Sequence, residues 1–174
     1  MAHPTRKGDA AATRAFLVFV LGAERYGVDI LKVQEIRSYG AVTPIPTATA
    51  FLKGVINLRG VIVPVIDLRA KFGLAEVRYD ALTVAIVLRV GSQVIGAVVD
   101  SVSDVIALRD EEVKPPPRLG ALVDASFLAG VVARDDGMVL LLDVERFLSS
   151  AELDLLDRAA AARPGADLSP GSGR

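Results

Sequence analysis

The sequence predicts an all-β protein, a sandwich or barrel assembled from about ten short strands. Three observations carry that prediction. Segments rich in Val, Ile and Leu recur at close spacing from Phe16 to Val144. Gly, Asp and Asn punctuate the joints between them. Helical periodicity of any length is confined to one stretch near the C-terminus.

Taken in order, the apolar runs place strands at Phe16–Leu21, Arg25–Ile30, Val33–Tyr39, Gly54–Leu58 and Val61–Asp67. Further strands are expected at Leu82–Val90, Gln93–Asp100, Val105–Leu108, Ala129–Arg134 and Met138–Val144. Three joints carry specific turn chemistry. Gly91-Ser92 suits a tight hairpin that opens on Gly, and Asp136-Gly137 is a two-residue hairpin signal. Arg59-Gly60 separates "VIN" from "VIVPV", with Gly60 free to take a positive φ. Many of the runs are continuously apolar, not alternating. That implies burial on both faces, or a partner over the outer face.

Helix is scarce. "DILKV" suits one short turn, and "LRAKFG" another, capped by Asp67 and ended by Gly73. "SSAELDLLDRAAAAR" is a longer helix with a Ser149/Glu152 capping box, and Leu153, Leu156 and Ala160 fall on one face. Pro164-Gly165 should stop it. Residues 1–14 and 164–174 read as tails, small, charged and aperiodic, around one domain spanning 15–163.

The stretch "KGVINLRGVIVPVIDL" departs from a plain buried strand at four points. Gly60 supplies a turn, and Asn57 beside it suits a side chain bonded to local backbone. Pro64 cannot donate to a ladder, so it belongs at an edge, bulge or bend. Arg59 has no such reason to be there.

Composition weighs against several functions. Twenty basic residues against 21 acidic give a net charge of −1, with aromatics at 5%. A nucleic-acid-binding barrel needs a basic groove and stacking aromatics, and anionic membrane binding needs a basic patch; neither is present. The only His is His3 in the tail and there is no Cys, so zinc and thiolate chemistry are excluded and no cofactor or metal is expected. Neither Gly-rich phosphate-loop pattern nor a nucleophile elbow occurs. Asp110–Glu112 and Asp135-Asp136 read as solvated turns, and Asp67 as a helix cap. No acid–base pair converges, which points to a binding protein and not an enzyme. No apolar run reaches the roughly 18–20 residues of a membrane span. No apolar core of a signal peptide opens the chain. The expectation is a soluble cytoplasmic protein.

Three stretches, "FLVFVLGAERYGVDILKVQEI", "FLKGVINLRGVIVPVIDLRAKFG" and "VVDSVSDVIAL", together resemble CheW, the coupling-protein family of bacterial chemotaxis. The resemblance covers roughly residues 15 to 160, in order. Its signature G-V-x-N-L-R-G-x-I-x-P-V-x-D-L also occurs in the regulatory domain of the kinase CheA and in CheV. This chain has no room for a kinase and lacks a receiver's acidic pocket, which leaves a free-standing adaptor.

The resemblance implies two small five-stranded SH3-like β-barrels packed on a common core. It implies an adaptor without cofactor or reaction, bridging the cytoplasmic tip of a chemoreceptor to CheA's regulatory domain at membrane-associated arrays. Carried over by motif, Glu35 and Arg59 contact partners and lie near each other. Val33, Ile36, Gly54 and Val105 match the edge of the receptor-binding groove. Thr49 stands where relatives commonly carry Pro. An adaptor of a non-flagellar pathway, for twitching or development, is the close alternative, and a small nucleic-acid-binding barrel the distant one.

Overall fold

The computed structural model describes residues 13–46, 50–74, 78–116 and 127–161. Eleven strands run in chain order: β1 Thr13–Leu21, β2 Glu24–Asp29, β3 Val33–Ser38, β4 Thr43–Pro44, β5 Leu52–Leu58, β6 Val61–Asp67, β7 Val84–Val90, β8 Gln93–Val99, β9 Ser101–Arg109, β10 Leu128–Arg134 and β11 Gly137–Leu142. Helices α1 Leu68–Lys71 and α2 Ser150–Ala161 follow β6 and β11, with 3-10 turns at Ile30–Lys32, Tyr39–Ala41 and Asp110–Glu112.

The strands form two sheets that do not follow chain order. One is ordered β10-β11-β2-β1-β9, the other β3-β7-β8-β6-β5-β4. Each curls around its own apolar core, so we call them the first and second barrels. In the first, Lys114, beyond β9, exchanges two backbone bonds of 2.9 Å with Val131 on β10, which closes the ring. In the second, the turn Tyr39–Ala41 joins the two edge strands. The second barrel thus has five full strands plus the two-residue β4. β4 contains Pro44 and lies in a polar, Pro-rich stretch, so no apolar run announces it.

Alternation within single strands feeds two cores at once. On β1, Phe16 and Val18 fill the first barrel, while Leu17, Phe19 and Leu21 join the core between barrels. On β7, Ala85 and Val87 fill the second barrel, while Ile86, Leu88 and Val90 meet that same shared core. Burial on both faces is the reason these strands read as continuously apolar. Each such Val, Leu, Ile or Phe side chain, fully buried, contributes roughly 1.5–3 kcal/mol.

The registers also expose an internal duplication. Gly22, Gly27, Val33, Glu35 and Ile36 recur at a constant offset of 69 residues as Gly91, Gly96, Val102, Asp104 and Val105. Phe51, Leu52, Gly54, Val55 and Asp67 recur at an offset of 76 as Phe127, Leu128, Gly130, Val131 and Asp143. The pairings match too. Val65 lies opposite Gly96 and Leu141 opposite Gly27, both in parallel ladders. Asp67 N–H donates to Phe51 O at 2.7 Å, and Asp143 N–H to Phe127 O at 2.8 Å. Each barrel combines the leading hairpin of one repeat with the trailing strands of the other, so the first barrel is discontinuous in sequence.

A buried ionic network secures the crossover between barrels. Arg69 on α1 pairs with Asp67 at 2.9 Å and with Asp100, between β8 and β9, at 2.7 Å. Asp100 also accepts the Gly22 N–H of the β1–β2 turn, so one carboxylate ties the two barrels. Tyr79 O–H donates to Asp67 at 2.8 Å and its ring stacks on Tyr39. Burial raises the Asp67 carboxyl, but the Arg69 and Tyr79 hydrogen bonds and the Arg69 charge outweigh it and hold it below its ordinary value.

Asp67 caps α1 as expected, accepting the Arg69 N–H at 2.9 Å, and Ser149 and Glu152 form the expected capping box of α2. Other expectations need correction. β1 takes in Thr13 and Arg14, placed in the tail above, and β9 begins at Ser101, four residues early, because pairing of Ser101, Val102 and Asp104 with β1 carries polar residues into the strand. The β10–β11 turn is Asp135-Asp136, and Gly137 at φ +133° opens β11. Pro64 lies not on an edge but in β6, between β5 and β8. It precedes the first parallel pair, Val65 with Gly96, so its missing N–H falls just outside that ladder. His3, Thr49, Pro164 and Gly165 fall outside the described residues.

Candidate partner-binding cleft

The edge strands of the two barrels, β3 and β9, flank the shared core. Each carries a β-bulge at the same repeat position. On β3 the pairing with β7 shifts between Val33 and Glu35, so that Val33 faces Leu88 and Ile36 faces Ile86. Both partners belong to the shared core, so both side chains project to the inter-barrel side. On β9 the shift leaves Ser103 unpaired, and Val102 faces Phe19 while Val105 faces Leu17, again two shared-core residues. A regular strand would send residues three apart to opposite faces; the bulge returns them to one.

Burial grades outward. Val33 and Val102 are half-buried against the shared core. Ile36 and Val105 are 43% and 54% exposed, high for aliphatic residues so close to a core. Of the expected contact residues, Val33, Ile36 and Val105 therefore share the inter-barrel side.

Glu35 and Arg59 meet at the end of the second barrel. The Arg59 Nη2 donates to Glu35 Oε2 at 2.6 Å, and the Arg37 Nη1 stands 3.7 Å from Glu35 Oε1. Glu35 faces Val87 across the ladder, a second-barrel core residue, which directs it away from the cleft face. Arg59 is the one non-glycine residue with positive φ among those described, at +51°, followed by Gly60 at +93°. Two successive positive φ values make this a type I′ hairpin, whose first position favours Asn, Asp or Gly. Asn57 accepts the Gly60 N–H at 2.7 Å and braces the turn.

Gly54 has a structural reason of its own. It is buried, and a Cβ there would land against the Thr43 carbonyl and 2.9 Å from Pro44 Cα. It is glycine because β4 crosses close over β5. Gly130 repeats the arrangement, its virtual Cβ 3.0 Å from Lys114 O.

Val102 and the exposed Val61, 60% accessible beside the Arg59 turn, were not singled out from sequence. The signal that would have found Val102 is the repeat V-x-[ED]-[IV], at Val33–Ile36 and again at Val102–Val105. Among the described residues no group of His, Cys, Asp and Glu could hold a metal ion.

A family model described as CheW-like domain matches residues 15–152. The chain is 52% identical over 145 residues to chemotaxis protein CheW of Klebsiella aerogenes, covering 83% of this chain and 87% of that one. It is 33% identical to protein FrzA of Myxococcus xanthus, over 82% of this chain and 89% of that one. The crystal structure of scaffolding protein TtCheW from Thermoanaerobacter tengcongensis superimposes with a TM-score of 0.68 at 35% identity, over 74% of this chain and 88% of that one.

Proposed function

Because the chain belongs to the CheW-like family of chemotaxis coupling scaffolds, we propose that its inter-barrel cleft receives the helical cytoplasmic tip of a chemoreceptor while its barrel ends engage the regulatory domain of CheA. The observation that carries this reading is the pair of bulges. They line the cleft from both barrels with apolar side chains, two of them exposed, and so offer an apolar surface against which one face of a helix can pack. Arg59 and Glu35 lie at the second barrel's end, where a charged pair sets register more than affinity. The reading assigns the chain no reaction of its own. In this reading the chain is recruited to receptor arrays from the cytoplasm through these contacts; no helix among the described residues is long and apolar enough to cross a membrane.

Val105→Asp and Val33→Asp test the cleft, with pull-downs against receptor fragments and CheA. Val105 is exposed, so its replacement should leave the fold intact while weakening receptor capture. If both folded variants bind both partners like the parent chain, the cleft assignment is wrong.

A further inference from the structure

The duplication makes the two barrels controls for each other, and they differ at one mouth. In the second barrel, the segment before β7 lies over the end of β6. There Tyr79 donates its phenol O–H to Asp67, packs on Tyr39, and lies against the Arg69 guanidinium. Asp67 is fully buried as a result. In the first barrel, the equivalent aspartate is Asp143. Its Oδ1 accepts the Glu145 N–H at 3.0 Å, and the Arg146 guanidinium stands 3.5 Å from Oδ2. The cap and the guanidinium are thus repeated, but among the described residues no tyrosine takes the place of Tyr79 beside Asp143.

In its place is a cavity of about 190 Å³, with Phe16, Val28 and Leu141 among its apolar lining and Asp29, Asp143 and Arg14 among its polar one. The Arg14 guanidinium lies over the Phe16 ring, 5.2 Å from its centroid. An aromatic ring entering here would meet apolar side chains below and a guanidinium at the rim, much as Tyr79 meets its neighbours. The chain has no phenol left to supply. It contains three tyrosines, and the position equivalent to Tyr79 is Ala10. Tyr26 stacks on Phe19 and meets Phe72 at a tilt, and Tyr39 stacks with Tyr79.

We propose that the mouth of the first barrel is a binding site for a tyrosine side chain presented by another protein, its ring in the cavity and its O–H donating to Asp143. The site is apart from the cleft; it rests on the reading that a barrel end engages another protein, while its test is independent of receptor capture by the cleft. A site built around a hydrogen-bond acceptor discriminates phenol from phenyl, because the ring without the hydroxyl leaves the carboxylate desolvated and unpaired.

The test is a ¹H–¹⁵N titration of the full chain with N-acetyl-L-tyrosinamide and, in parallel, N-acetyl-L-phenylalaninamide and N-acetyl-L-argininamide. Saturable shifts at the Asp29, Ala129, Asp143 and Val144 amides are expected with the first. Binding about tenfold weaker is expected for the phenylalanine probe, and for Asp143→Asn with the tyrosine probe. Ala129→Phe, from an exposed position on the cavity wall, should abolish the response without touching the carboxylate. No saturable shift, equal response to tyrosine and phenylalanine probes, stronger response to the arginine probe, or unchanged binding in Ala129→Phe would each overturn the assignment.

Discussion

Arg59→Gly separates what the fold needs from what a partner needs. Arg59 holds φ +51°, where an L-residue costs roughly 1–2 kcal/mol. Glycine removes that cost but adds about 0.5–1 kcal/mol of chain entropy on folding. The Glu35 ion pair is lost as well, yet the Arg59 side chain is 73% exposed, so that loss is on the order of 0.2–1 kcal/mol. The three terms nearly cancel, and Arg59→Gly should fold within about 1 kcal/mol of the parent. That is a shift in Tm of roughly 2–4 °C at most for a chain of this length. Urea unfolding measures it, and Arg59→Asn, which tolerates the same backbone, provides a second value. Receptor-dependent phosphorylation of CheA in a reconstituted complex reads the other half. If Arg59 contacts a partner, coupling should weaken by about 1–2 kcal/mol, 5–30-fold, in both folded variants. A loss of stability above about 3 kcal/mol would refute the account of the turn. Coupling equal to the parent's would refute the contact.

Three further outcomes follow from other places in the fold. Gly54→Ala should destabilise by about 2–4 kcal/mol or displace β4, because the added methyl meets backbone that cannot rotate away; wild-type urea stability would contradict this. The charge exchange Glu35→Arg with Arg59→Glu should restore part of the coupling that each single reversal loses, measured as a double-mutant cycle. Asp67 has a folded pKa below its unfolded one, so its contribution is fully present above the unfolded value and fades as pH falls through the folded value. Stability should therefore drop below about pH 4, and more gently in Asp67→Asn, whose stability at neutral pH is already reduced. Parallel acid limbs would show that Asp67 does not carry the linkage.

Most strands were legible because Val, Ile and Leu runs and their Gly joints are local signals. The capping of α1 and α2 was legible for the same reason: Asp67, Ser149 and Glu152 act on backbone within three residues. β4 was not, since two residues held mainly by β5 leave no periodicity of their own. The backbone state of Arg59 was equally hidden. Arg-Gly is a weak type I′ signal, and register closure between Leu58 and Val61 imposes the conformation. Glu35 and Arg59 came through the motif, whereas their 2.6 Å approach depends on barrel curvature. The repeat of 69 and 76 residues was present in the letters, but sparse identities of Gly, Val and Asp become persuasive only once pairings coincide.

By itself the sequence determined the all-β class, the hairpins at Gly91 and Arg59-Gly60, the absence of Cys and of any phosphate loop, and the family motif. Each rests on residues near one another in the chain or on the presence of a residue type. Tertiary structure alone decided which barrel each strand joins, which core each buried side chain enters, and where the two bulges aim Val33, Ile36, Val102 and Val105. Those outcomes depend on pairing between segments far apart in the chain, such as Arg25 on β2 with Val139 on β11, and local preference carries no information about such partners.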